Sequence, residues 1–247
     1  MDIWKYFDIT HRYHILCNPT RLEKYTFIVS LTHLQPGARV LEIAAGKGEF
    51  ITLLAERYLV SGVAIDASPY VVEEMKHKLA DRVPRAQIEV LTMDAAEYRP
   101  EQPESFDLTA CIGASWIFGD HRGTLAYLKE QTRPGGWIVV GEPFWRREPD
   151  PEYLQSAGYD RDSFSTHAGN VRIGEELGLR LAYTAVSNHD EWDMYECLQW
   201  YAAELYAREH PDDPDLPEVM QRVEKSRNEY LRWGRETMGW AIYVFLK

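Results

Sequence analysis

Residues 40–50, Val-Leu-Glu-Ile-Ala-Ala-Gly-Lys-Gly-Glu-Phe, run an apolar strand straight into a glycine turn and a helical pattern. A strand that is apolar on both faces needs cover above and below it, and a helix starting from the turn supplies half of that cover. The same unit then repeats. Residues 38–44, 61–66, 86–92, 105–112 and 136–142 are short apolar runs, and helical spacing fills 48–59, 69–82 and 122–132 between them. Asp66-Ala-Ser-Pro69 offers a cap and a first-turn proline for the second of these helices. Strand alternating with helix predicts an α/β fold, a doubly wound and mostly parallel sheet.

The order loosens after residue 142. A helix is expected at 168–178, a strand at 179–187 and a last strand in GWAIYVFL at 239–246, the two strands antiparallel to one another, for seven in all. Two helical patterns lie between them, from Trp192 to Glu209 and from Leu216 to Arg235, broken by the HPDDPDLPE cluster at 210–218. Residues 190–237 therefore read as a helical cap inserted between the last two strands. One further helix, over 20–33, follows an aromatic start, WKYFDITHRYH. The expected organisation is a single domain, 1–247, with an N-terminal helical cover at 1–34 and a core made of 35–189 and 238–247.

Charge narrows the partners. With 27 Lys and Arg against 39 Asp and Glu, the net charge is -12, which disfavours nucleic acid and anionic membrane surfaces. No apolar run reaches the roughly 20 residues of a membrane helix, and the start lacks the basic flank and apolar stretch of a secretion signal, so a soluble cytoplasmic protein is expected. Cys17, Cys111 and Cys197 are odd in number and far apart, which predicts neither a disulfide framework nor a metal site. A small molecule is the expected partner, bound by a monomer or homodimer.

The glycine turn selects among nucleoside cofactors. A G-x-G-x-x-G loop would need glycine at position 51 or 49, where the chain has Ile51 and Glu49, and no G-x-x-x-x-G-K-[ST] string exists. A carboxylate such as Glu49 at the helix N-terminus would also repel a pyrophosphate. A cofactor without phosphate, carrying a sulfonium, an ammonium and one carboxylate, suits a loop flanked by Glu42 and Glu49, and S-adenosylmethionine is such a cofactor. Gly46 and Gly48 would admit it close to the backbone. Asp66, twenty residues after Gly46, stands where a carboxylate can accept from both ribose hydroxyls.

In motif order, residues 35–145 resemble the class I S-adenosylmethionine-dependent methyltransferases. The family's first motif matches Leu41 to Gly48, with Ala44 in place of the first glycine. Its second-strand acid matches Asp66, followed by Ala67, and its adenine-contacting acid matches Asp94, with Ala95 offering a backbone N–H. The fourth motif matches Phe106 to Trp116, including Ile112 and Gly113, and Arg133-Pro-Gly-Gly resembles the turn into the fifth strand. The strings GASWIFG and GEPFW, with an N-terminal H-x-x-H-x-x-x-N-P, look like a group of bacterial small-molecule methyltransferases. The resemblance implies a Rossmann-like methyltransferase fold. It also implies in-line methyl transfer to an O, N, S or C acceptor, with S-adenosylhomocysteine as product.

Chemistry then needs a proton acceptor and a pocket. His14, Glu142 and Asp190 are the candidate bases. His11 reads as a surface or capping residue, and two histidines without a third ligand make no metal site. Glu142 reads equally as a salt-bridge partner of Arg146 or Arg147, and Asp190 as a helix cap. Tyr13, Trp116, Phe144, Trp145 and Trp192 are the candidate pocket walls, with Asn18 closing over the cofactor. Alternative readings are a non-catalytic S-adenosylmethionine binder, a thiol or arsenical methylase using the three cysteines, a nucleic acid methylase and a nicotinamide oxidoreductase. Against the nucleic acid methylase stands the fourth-strand string ACIGAS, which lacks the N/D-P-P-Y type and sets no proline beside Cys111.

Overall fold

Seven strands, β1 (Arg39–Ile43), β2 (Ser61–Asp66), β3 (Gln87–Thr92), β4 (Phe106–Ile112), β5 (Thr132–Trp145), β6 (Arg180–Val186) and β7 (Met238–Leu246), form one sheet in the computed structural model, which describes residues 1–247. Their order is β3-β2-β1-β4-β5-β7-β6. The pairs among β1 to β5 are parallel, and β7 runs antiparallel between β5 and β6. The switch point, where the order reverses, lies between β1 and β4, so the carboxyl ends of these two strands flank the crevice.

Side-chain alternation divides the core between the two faces of the sheet. Val40, Ala110, Ile112, Val139, Ile242 and Val244 pack on one face with α2 (Leu22–Leu31), α3 (Glu49–Tyr58) and α4 (Pro69–Arg82). Leu41, Ile43, Cys111, Val140, Tyr243 and Phe245 pack on the other with α5 (His121–Gln131) and the later α7 (His167–Glu176). Each fully buried aliphatic side chain contributes roughly 1.5–3 kcal/mol of transfer free energy, which fixes the register of every strand.

Three elements depart from the sequence expectations. Strand β5 is longer than 136–142, because β7 pairs with it without interruption from Trp137 opposite Leu246 to Trp145 opposite Met238. A short helix, α6 (Pro151–Ala157), capped by Asp150, follows it unforeseen. The start of the chain also forms a helix, α1 (Ile3–His11), capped by Asp2 through the Trp4 N–H.

The insert between β6 and β7 holds α8 (His189–Glu209) and α9 (Leu216–Glu229), followed by a π-helical turn, Tyr230–Gly234, and one last helical turn. The π turn breaks the regular helix expected to continue to Arg235. Asn188 caps α8 in a reciprocal box with Glu191, so Asp190 is not the cap. Glu191 is 1% exposed and also accepts from the Arg21 N–H and the Lys24 ammonium, which ties the insert to the N-terminal segment. Lys5 with Asp213 and Asp215, and Arg12 with Glu209, add ion pairs along the same seam. No helix is long and apolar enough to cross a membrane.

Leu59 ends α3 in the left-handed conformation, with φ at 50° and a side chain 60% exposed. A Cβ there costs roughly 1–2 kcal/mol, while glycine adds about 0.4–1 kcal/mol of unfolded-state entropy. Leu59→Gly is expected to stabilise the fold by about 0.5–1 kcal/mol, read as a higher urea midpoint with an unchanged slope.

Candidate functional site

The turn after β1 is held left-handed at Ala44 (φ 50°), Gly46 (φ 55°) and Gly48 (φ 69°). Ala44 thus takes a conformation natural to the glycine it replaces and carries the strain of its Cβ. The Gly46 N–H donates to Asp66 Oδ2 at 2.8 Å, and the Ser68 N–H donates to Asp66 Oδ1 at 2.9 Å. Each oxygen keeps a further lone pair for a ligand hydroxyl. Ala67 sits half-buried between these two partners.

Gly48 answers to packing. A Cβ there would lie 2.3 Å from Met75 Cγ, so its glycine admits α4 rather than a ligand. It is also the N-cap of α3 without a capping side chain, and Glu42 reaches across from β1 to accept from the Ile51 N–H at 3.0 Å. Burial pushes the Glu42 carboxyl up to about 8. Glu49 faces Lys78 at 2.9 Å and Arg82 at 2.7 Å, which hold its carboxyl below the usual range against the cost of burial. Its charge is therefore neutralised within the fold, and the exclusion of a dinucleotide loop rests on glycine spacing instead. Asp94 is exposed and caps the short turn Ala95–Glu97 through the Ala96 N–H, with Ala95 buried beneath it.

Two cavities open from this crevice. A small one of about 30 Å³ lies against the loop, lined by Tyr25, Glu42, Ala44, Gly46, Lys47 and Ile112. A large one of about 760 Å³ lies beyond the ends of β4 and β5, beneath the insert. Cys17 and Asn18 line both, so the two spaces meet under the N-terminal segment. Asn18 donates through Nδ2 to the Tyr25 hydroxyl at 2.6 Å, while its Oδ1 is buried without a partner.

Glu142, 5% exposed, lines the large cavity from β5, and its Oε2 is also buried without a hydrogen bond. Arg146 is spent on the Met238 and Ser187 carbonyls and Arg147 on the Thr237 hydroxyl, so neither forms the salt bridge that the sequence allowed. His121 Nδ1 lies 3.8 Å from Glu142 Oε2. Burial drives the two in opposite directions. It pushes Glu142 up to about 7, reinforced by Asp120 and opposed by the Ser115 hydroxyl, and it pushes His121 down to about 4. His121 Nε2 faces the Asn170 carbonyl at 3.2 Å, which assigns the proton to Nε2 and leaves Nδ1 without a hydrogen-bond partner. A neutral imidazole then stands beside a carboxyl poised near neutrality.

Trp240 of β7 forms part of the cavity wall, and the sequence reading missed it. Its indole lies over Gly113 and Gly141 and donates to the Thr20 hydroxyl at 2.9 Å. A Cβ on Gly141 would come within 2.6 Å of that ring and 2.7 Å of Ile112. Gly141→Ala is therefore expected to displace the indole, cost about 1–3 kcal/mol and shift the tryptophan emission; unchanged stability and emission would contradict the packing.

The histidines exchange the roles expected of them. His11 is buried and lines the large cavity, bonded to the Tyr195 hydroxyl at 2.9 Å and to Thr10, and burial lowers it to about 3. His14 does not line that cavity, and its Nε2 is taken by the Tyr195 carbonyl at 2.8 Å, because the chain leaves α1 at His11 and turns. Tyr13 points outward against Tyr201. Asp190, the second residue of α8, is exposed and away from the cavity.

Among the expected walls, Trp116 and Trp192 line the cavity, Trp116 while 70% exposed at its mouth. Phe144 instead fills the space left by Gly239, and Trp145 donates to the Arg161 carbonyl and backs Phe164, which does line the cavity. The cysteines stay apart in kind, Cys17 at the loop, Cys111 inside the sheet and Cys197 exposed on α8. No three His, Cys, Asp or Glu side chains gather as a metal site. Besides Trp240 and His121, the sequence reading missed Ser115, Glu196 and Tyr230 as lining residues.

Comparison with known proteins finds relatives that share this fold. A family model described as a methyltransferase domain matches residues 40–136. The uncharacterised Escherichia coli protein YjhP is 29% identical over the whole chain and 99% of its own length, and its crystal structure superposes with a TM-score of 0.90 over 98% of each chain. An S-adenosylmethionine-dependent methyltransferase from Thiobacillus denitrificans, solved with S-adenosylhomocysteine, is 30% identical over 99% of both chains, with a TM-score of 0.89. One from Geobacter sulfurreducens, in complex with the same molecule, is 28% identical over 99% of this chain and 98% of its own, with a TM-score of 0.91.

Proposed function

This chain belongs to the class I S-adenosylmethionine-dependent methyltransferases, and from that premise we propose that it methylates a small molecule held in the large cavity, with Glu142 taking the acceptor's proton. The cofactor of this enzyme family supplies an electrophilic methyl group on its sulfonium when bound. The residues at the loop fit it. Asp66 has lone pairs for ribose hydroxyls, exposed Asp94 has one for the adenine amino group, and the orphaned Asn18 Oδ1 beside Glu42 suits an ammonium.

The observation that carries the reading is Glu142 itself. A carboxyl that is buried, has one oxygen without a partner and is raised to about 7 on a cavity wall is costly unless it has a task, and a base is most effective with its pKa near the working pH. The Ser115 hydroxyl donates to it and so orients the carboxyl, while the neutral His121 ring packs beside it. The N-terminal segment, fastened by the bond from Trp240 to Thr20, keeps water from the junction at Cys17 and Asn18.

A crystal structure with S-adenosylhomocysteine tests this directly. Its sulfur is expected at the junction of the two cavities, facing the large one. A sulfur directed away from that cavity would overturn the assignment of the acceptor site.

A further inference from the structure

The large cavity is acidic without internal compensation. Glu142 and Glu196 both line it, and neither meets a lysine or arginine; the shift of Glu196 comes from burial alone. Arg122, the one arginine on the wall, pairs with Glu176. His11 and His121 are held neutral by burial, Asp120 caps α5, and Glu229 receives the Ser156 hydroxyl. Asp162 adds a further acid at the wall. Where Glu142 and Glu196 are ionised, above about pH 7, the positive charge that balances them therefore arrives with the ligand.

The apolar part of the wall points the same way. Trp192 stacks on Tyr230 with ring centroids 6.2 Å apart, and Trp240 lies across the floor. Such ring faces attract a cation and accept an apolar body. A phosphate or carboxylate would be repelled by both glutamates, and a neutral alcohol would leave Glu196 uncompensated.

We propose that the methyl acceptor is a small amine that enters as its ammonium form, recognised by Glu142 and Glu196 among the rings of Trp192, Tyr230 and Trp240. The inference rests on the large cavity being the acceptor site. One ammonium N–H bond breaks, its proton passes to a Glu142 carboxylate oxygen, and the electron pair stays on nitrogen as the lone pair that methylation requires. Glu196 keeps its charge and holds the cation before that step.

Calorimetry on the full chain saturated with S-adenosylhomocysteine, at pH 8, tests the proposal with 2-phenylethylamine, 2-phenylethanol and phenylacetate. The amine is expected to bind at least about tenfold more tightly than the alcohol, with phenylacetate weaker still. Glu142→Gln and Glu196→Gln are each expected to reduce that preference severalfold while S-adenosylhomocysteine binds as to wild type, which also shows that the variants fold. No amine binding, equal affinity for phenylacetate, or a preference unchanged in both variants would overturn the proposal. Failure of S-adenosylhomocysteine to bind the wild-type protein would instead count against the cofactor site.

Discussion

Asp66→Ala is expected to weaken S-adenosylhomocysteine binding by roughly 10²- to 10⁴-fold, the equivalent of two hydrogen bonds to a charged group, or about 3–6 kcal/mol. The side chain does two jobs in the fold. Its oxygens accept from the Gly46 and Ser68 N–H groups, which pins the glycine turn of β1 to the end of β2, and each oxygen has a lone pair left over. Removing the carboxyl leaves both N–H donors short of a partner, so a stability loss of about 1–2 kcal/mol is expected alongside the loss of affinity. Asp94→Ala should weaken binding less, because Asp94 is exposed and anchors only a short turn. Calorimetry checks both, and wild-type affinity in Asp66→Ala would contradict the placement of the cofactor site.

Glu142→Gln is expected to lower turnover by about 10²- to 10⁴-fold, the usual contribution of a general base, while cofactor affinity is kept. It should also stabilise the protein, in a pH-dependent way. The folded carboxyl is raised to about 7, above its ordinary 4.5, so between these values the native state holds a proton that the unfolded chain has released. Stability from this group is complete below pH 4.5 and is lost as pH rises through 7. The glutamine variant escapes that loss, and an advantage of about 1–3 kcal/mol is expected at pH 8 and none at pH 4. Thermal unfolding at the two pH values checks the sign; a variant less stable than wild type at pH 8 would show that the carboxylate is compensated by a charge.

How much of this was legible in the chain follows the distance over which each residue acts. The strand, turn and helix at 39–58 depend on neighbours in sequence, and so the glycine turn, the place of Asp66 at the end of β2 and the parallel pairing of the strands could all be read. Trp240 could not. It belongs to an ordinary apolar strand, and its role comes from lying antiparallel beside β5, where Gly113 and Gly141 clear space for the indole. His121 gains its place from the turn after β4, and Glu196 gains its own from the way the insert folds back over the sheet.

Local competition explains the other departures. Asn188-His-Asp-Glu191 is a capping box two residues ahead of Asp190, and it takes the helix start away from that aspartate. The turn after His11 reverses which histidine faces the cavity, a matter of one helix boundary. Phe144 and Trp145 lie beyond the run read as the fifth strand, and the length of β7 draws them into the sheet and its flanking packing.

The most direct measurement is methyl-labelled S-adenosylmethionine incubated with the purified protein and the small-molecule fraction of a cell extract that includes amines, with mass spectrometry of the products. The wild-type protein is predicted to place the label on a small molecule, and Glu142→Gln at equal cofactor occupancy to place almost none there. Label confined to protein or nucleic acid added as a control, or an undiminished product from Glu142→Gln, would contradict the assignment of the cavity and its base.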